Sequence, residues 1–408
     1  VEVYNTGSVT GSSSLTPIDS NTNIEWKFDD DSNPQFFADD GYGKQGATLY
    51  GRDFPIFAND KMQSTRYGAT YTALANGKIL ITGGRSGSDY NTGTVLNTAD
   101  IYDPYSGIIS PVGNMNYARS RHKAALMSDG RVLILGGVSG SASTSAEIYD
   151  PSSSAFYVTG SMITARINEF AAVTMSDGRV LVAGGNSGSY VSAAEIYDPS
   201  TGTFTATGSL NTARDSFNAT LLSNGKVLCA GGYNGSSLTT CEIYDPSAGT
   251  FSTVSISARH HAQVTTLQDG RVLISGGYNG ASLLNTAQIY NPQDNTVSSS
   301  ITMQVARALH SSVTLSDGTV LLSGGYSAVS TAEIFNPSNS QFSTTTGSMN
   351  VGRYYHASFL MPNGKVVIVG GSSTATNVET YDSSTKTFSS LGNAKLQSTT
   401  CVFGAALL

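Results

Sequence analysis

Seven arginines are the most regular charged residues of the chain. Arg66, Arg119, Arg214, Arg259, Arg307 and Arg353 each lie ten residues before an Asn-Gly or Asp-Gly pair, and Arg166 lies eleven before one. Guanidinium groups at one level can form an anion-binding ring, or they can pair with the recurring acids Asp100, Glu147, Glu195, Glu242, Glu333 and Glu379. Seven arginines against six acids favour a structural ring, because a buried guanidinium needs a partner. Five histidines follow these arginines: His122, His310 and His356 at the third position, His260 and His261 at the first and second. A metal would need several to converge, and equivalent positions of a repeat diverge, so no histidine metal centre is expected. Asp29, Asp30, Asp31, Asp39 and Asp40 offer oxygens to calcium but lack the spaced ligands and central glycine of a calcium loop. A solvated acidic loop is the expectation there. The chain has no GxSxG elbow and no phosphate loop.

The net charge of −7 leaves no basic stripe for phosphates, which argues against a nucleic-acid partner. No run of 18 apolar residues is present, so no transmembrane helix is expected. Only 12% of the 408 residues are charged, and Ser, Thr, Asn and Gly fill the polar positions, a balance more usual outside cells. We therefore expect an extracellular protein and read Val1 as the start of a mature or trimmed form.

The positioning elements are repeats. In 171–214, two alternating apolar runs flank Asp177-Gly178, which suits a two-residue type I′ hairpin turn. A third run ends at Asp198-Pro199, and a fourth covers Thr203 to Thr207. Four short strands make a sheet that cannot bury both faces alone. Gly-Gly recurs at 83/84, 136/137, 184/185, 231/232, 276/277, 324/325 and 370/371, each time after a turn pair. An acid or amide two residues before an aromatic follows, as in Glu195/Tyr197 and Gln288/Tyr290. Seven copies at this period predict an all-β propeller.

On the di-glycine and the following tyrosine, 47–408 resembles the kelch β-propeller family. Where that family usually carries tryptophan, this chain has Phe156, Phe204, Phe251, Val297, Phe342 and Phe388. The stretch RYYHASFLMPNGKVVIVGG also resembles galactose oxidase, a copper radical enzyme with such a propeller. That resemblance implies Tyr355 and His356 as weak candidates for copper ligands. The crosslinked tyrosine–cysteine pair and the further histidine it requires have no match here, so no cofactor and no enzyme activity are expected.

The ends suggest how the ring closes. Residues 1–46 lack the repeat, 47–397 carry it with a degenerate start, and 398–408 resemble a first strand. Pairing of 401–408 with Val1–Tyr4 would close an eighth blade from C-terminal and N-terminal strands. Eight blades are the favoured expectation and seven the alternative; exchange of the end strands between chains would instead build a filament. Cys229 and Cys241 flank one loop on adjacent strands and form either a disulfide or two buried thiols. Asn218-Ala-Thr and Asn234-Gly-Ser match the N-glycosylation pattern.

What remains for function is the loop rim. Tyr90, Tyr190, Tyr233, Tyr278 and Tyr326, with Asn234 and Asn279, stand among serines and glycines, a composition suited to binding. The expected function is non-catalytic binding or adhesion at a cell surface, with a glycan or protein partner.

Overall fold

The computed structural model describes residues 62–64, 66–86, 93–167, 169–371, 377–395 and 402–406. Lys61–Leu408 forms one unit, apart from Val1–Asp60. The expectations for residues 1–46, for the degenerate start at 47–61, for the acidic cluster and for Tyr90 lie outside the described residues.

Each repeat is one antiparallel sheet with its strands in chain order, so the seven blades are 69–111, 123–158, 171–207, 218–255, 263–302, 311–344 and 356–395. The first strands of successive blades, from blade 1 to blade 7, lie side by side around the axis. Seven apolar cores fill the gaps between blades; Leu133, Phe170, Val182 and Tyr197 lie between the second and third. Tyr71, Ile81, Phe359 and Val369 pack blade 7 against blade 1 and close the ring. Smaller aromatics replace tryptophan here as tilted pairs, among them Tyr197–Phe204 and Tyr244–Phe251, with centroids 4.8 and 4.9 Å apart.

The described residues form seven blades, not the eight expected. Six of the seven sheets have four strands from their own repeat, the fifth blade's outer strand is split into Thr296–Val297 and Ile301–Thr302, and Val402–Ala406 adds to blade 1, parallel to Ala69–Ala73. The surplus length that suggested another blade is therefore spent partly on a fifth, axial strand, which also packs beside the first strands of blades 2 and 7.

The hairpin turns also differ from expectation. Only the glycine of each pair has positive φ, 85° at Gly178, and the amide of Met175 bonds the carbonyl of Arg179 at 2.8 Å. This is a three-residue loop with a left-handed glycine, not a type I′ turn. Asp177 stays right-handed because its carboxylate accepts the Arg179 amide at 3.0 Å.

Cys229 and Cys241 are buried free thiols. Cys229 pairs in register with Glu242, and Cys241 with Ala230, so the two sulfurs lie on opposite faces of the blade. An offset of one residue is enough to prevent the disulfide.

Candidate functional site

The arginine ring is built into the joints between blades. Nη1 of all seven arginines donates to the carbonyl of the first glycine of its own blade, at 2.6 to 3.0 Å. Six pair with the blade acid at 2.5 to 3.1 Å, and all six pairs are buried. Arg259 meets the amide Gln288 instead, with Nη2 3.3 Å from Oε1. The arginine carbonyls serve the preceding blade, since the second glycine of blades 1 to 6 donates its amide to the next blade's arginine, as Gly232 does to Arg259 at 2.9 Å.

His122, His310 and His356 sit in the same joints. Their Nε2 atoms meet hydroxyls of the preceding blade at 2.9 Å, on Thr82, Ser275 and Ser311 respectively. Burial, followed by the adjacent arginines, depresses all three pKa values, that of His310 to about 3. They are neutral joint residues.

The residue two places after the arginine behaves differently. Gly68, Arg121, Ser216, His261, Leu309 and Tyr355 have φ between 51° and 71°. Left-handed backbone costs a non-glycine residue about 1–2 kcal/mol. Here it lets amides reach across blades: His261 donates to Ser216, Leu309 to His261 and Tyr355 to Leu309, at 2.9 to 3.2 Å. Three of them, His261, Leu309 and Tyr355, line with Glu169 one mouth of the axial channel, a cavity of about 1000 Å³ lined by the first strands. Glu169 arrives there through the extra residue between Arg166 and its turn.

At that mouth Glu169 Oε2 accepts from His261 Nδ1 at 2.8 Å and also bonds the Tyr355 hydroxyl. Burial pushes the Glu169 carboxyl up, but His261, Lys123 and Tyr355 outweigh it and hold the pKa below the usual carboxylate range. Burial likewise pushes His261 down, and Glu169 with Asp215 reverses this to a raised pKa. Asp215 stands beside them, raised by burial, accepting from Asn186 at 3.3 Å and Ser216 at 3.0 Å.

The rim continues outward from this cluster. Leading segments and second-to-third-strand loops share it, through bridges such as Asp215–Tyr233 and His260–Tyr278. A chain of rings runs Tyr190–Tyr233–His260 at 5.9 and 5.0 Å, then from His260 to Tyr278 at 5.4 Å and to His261 at 4.9 Å. It passes His261–Tyr355 at 6.3 Å, Tyr355–Tyr354 at 5.9 Å and Tyr354–Tyr326 at 5.7 Å. Tyr190, Tyr233, Tyr278 and Tyr326 therefore come together on one side of the rim, beside Asn234 and Asn279. Asn218, by contrast, lines the channel and its side-chain amide donates to Ala262 O at 2.7 Å.

Tyr355 and His356 do not form a ligand pair. Tyr355 faces Glu169 at the mouth, whereas His356 turns into the joint toward Ser311 and Ser323. Among the described residues no group of three His, Cys, Asp or Glu side chains is arranged to hold a metal ion. Neighbours in the chain point to different compartments because side chains alternate along a strand.

Residues 170–211, 216–256 and 260–300 match the Kelch motif. Comparison with curated proteins gives no match. A solved structure described as a "Novel fungal alcohol oxidase with catalytic diversity among the AA5 family, in complex with copper" is similar at 21% identity and a TM-score of 0.64. The similarity covers 75% of this chain and 70% of that one, and at this identity it concerns the fold.

Proposed function

We propose that this seven-bladed propeller with Kelch motifs is an extracellular binding protein that takes a glycan on one side of its rim. The aromatic chain from Tyr190 to Tyr326 carries the reading. Ring faces cover the C–H face of a sugar, while Asn234, Asn279 and the loop serines supply hydrogen bonds to its hydroxyls. A protein epitope uses the same chemistry and is the second class of partner. Copper oxidation, the activity named for the structural relative, does not enter this reading, because Tyr355 and His356 serve different neighbours.

The test is titration of the intact protein against a panel of neutral and acidic oligosaccharides, with Tyr233→Ala and Tyr278→Ala beside wild type. Saturable binding that either variant weakens roughly tenfold supports the proposal. Wild-type binding to no glycan, or binding that neither variant changes, overturns it. Exchange of the axial strand between copies is the second reading, since its backbone pairing to Ala69–Ala73 can also be supplied by another chain. Filaments in electron micrographs would favour it, and a single monomer peak in size-exclusion chromatography would remove it.

A further inference from the structure

Just inside the mouth, two polar side chains make no hydrogen bond or ion pair among the described residues. Lys123, Asn218, Gln263 and Ser311 each open the first strand of their blade, and all four line the channel. Asn218 is bonded to Ala262, and Ser311 to its neighbours His356 and Ser323. The Lys123 ammonium has no carboxylate within ion-pair distance among the described residues, and the Gln263 amide has no hydrogen-bond partner there. Burial lowers the Lys123 pKa, and the Glu169 charge offsets this in part. The Glu169 charge is already answered by His261 at 2.8 Å, and Asp215 is turned to Asn186 and Ser216. The Lys123 ammonium thus faces the cavity with no carboxylate in contact among the described residues. A half-buried ammonium placed in this way on a cavity wall can be completed by an anion that enters the cavity.

We propose that the channel mouth binds a carboxylate-bearing sugar, a uronic acid unit of an acidic glycan, with the carboxylate on Lys123 and ring hydroxyls on Gln263, His261 and Tyr355. The proposal rests on the glycan reading of the rim and adds the sugar's charge. Lys123 beside the carboxyls of Glu169 and Asp215 suits a monoanion, whereas a phosphate or sulfate dianion would meet stronger repulsion from them. The hydroxyl-rich part of the ligand accounts for Gln263, which a bare anion would leave unused.

The experiment is calorimetric titration of the intact protein with a short oligogalacturonate, its neutral methyl ester and inorganic sulfate. Lys123→Gln and Gln263→Ala are measured beside wild type, with thermal melts as the folding control. The acid should bind at least about tenfold tighter than the ester, and Lys123→Gln should remove roughly ten- to a hundredfold of acid affinity and far less of ester affinity, in a variant that still melts cooperatively. Gln263→Ala should weaken acid binding several-fold. Equal affinity for acid and ester, with Lys123→Gln silent, overturns the acidic-sugar site and leaves the rim reading intact. Sulfate binding as tightly as the acid reduces the site to a plain anion site and overturns the sugar. Failure of wild type to bind either saccharide overturns both readings.

Discussion

Glu169 and His261 are 92 residues apart and meet at 2.8 Å, joining the leading segments of blades 3 and 5, which are not neighbours in the ring. With Tyr355 from the leading segment of blade 7 bonded to the same carboxylate, three segments converge on one group.

This clasp should be pH-dependent with a defined sign. His261 is raised, so its contribution is full below the unfolded histidine value of about 6.5 and fades as pH climbs through the folded one. Glu169 is lowered, so its contribution is full above about 4.3 and fades as pH drops through the folded value. Lys123, Tyr355, His260 and Asp215 face the pair and bear on its titration. The melting temperature of wild type minus Glu169→Gln should peak between about pH 4.3 and 6.5, with a stability difference on the order of 1 kcal/mol because both side chains are partly exposed. A difference flat from acid to alkaline pH would sink the idea.

Arg259 is the natural variant of the arginine joint. Without an acid, burial lowers its pKa to about 10, and Gln288 replaces the charge with a dipole. Glu242→Ala should destabilise the protein by roughly 3–5 kcal/mol by leaving Arg214 buried and unpaired. Gln288→Glu, which adds the missing charge but loses the Gln288 bond to Ser298 O, should be stabilising by about 1 kcal/mol. Chemical denaturation of both variants checks the pair, and equal effects of the same sign would refute this account of the joint.

The two kinds of glycine should separate under alanine substitution. A Cβ at Gly276 would collide with the carbonyl oxygen of Arg307 in the next blade, whereas Gly140, also at positive φ, has open space around it. Gly140→Ala should cost about 1–2 kcal/mol for backbone strain alone. Gly276→Ala should add a clash with backbone and lose on the order of 4 kcal/mol or more. Urea midpoints would decide, and similar losses would show that the di-glycine is not a close-approach site.

Burial pushes both Cys229 and Cys241 up to about 12. Thiol reagent should leave them unreacted in the native protein and label them after denaturation, and reductant should not shift the melting temperature. Rapid native labelling of either would contradict their burial.

The repeat was legible because every unit must solve one packing problem: a small sheet with two apolar faces needs a neighbour on each side, and the same spacing recurs wherever it does. The arginine–acid joint was readable for a related reason, since a residue that serves every blade must recur in every blade. The mouth cluster was not, because its members are the positions where the blades differ. Glu169 could have been suspected from the one extra residue after Arg166, and His261 and Tyr355 from their shared offset behind an arginine.

Sequence alone determined the propeller, its hairpins and its buried guanidinium ring, all of which depend on contacts repeated at short range within and between adjacent blades. Only the tertiary structure decided the number of blades, the parallel place of Val402–Ala406 and the opposite faces of Cys229 and Cys241. It also decided the meeting of Glu169 with His261. Each of these turns on where the ring brings distant segments together, or on a register of one residue, and the spacing of residues along the chain does not encode a distance across the axis.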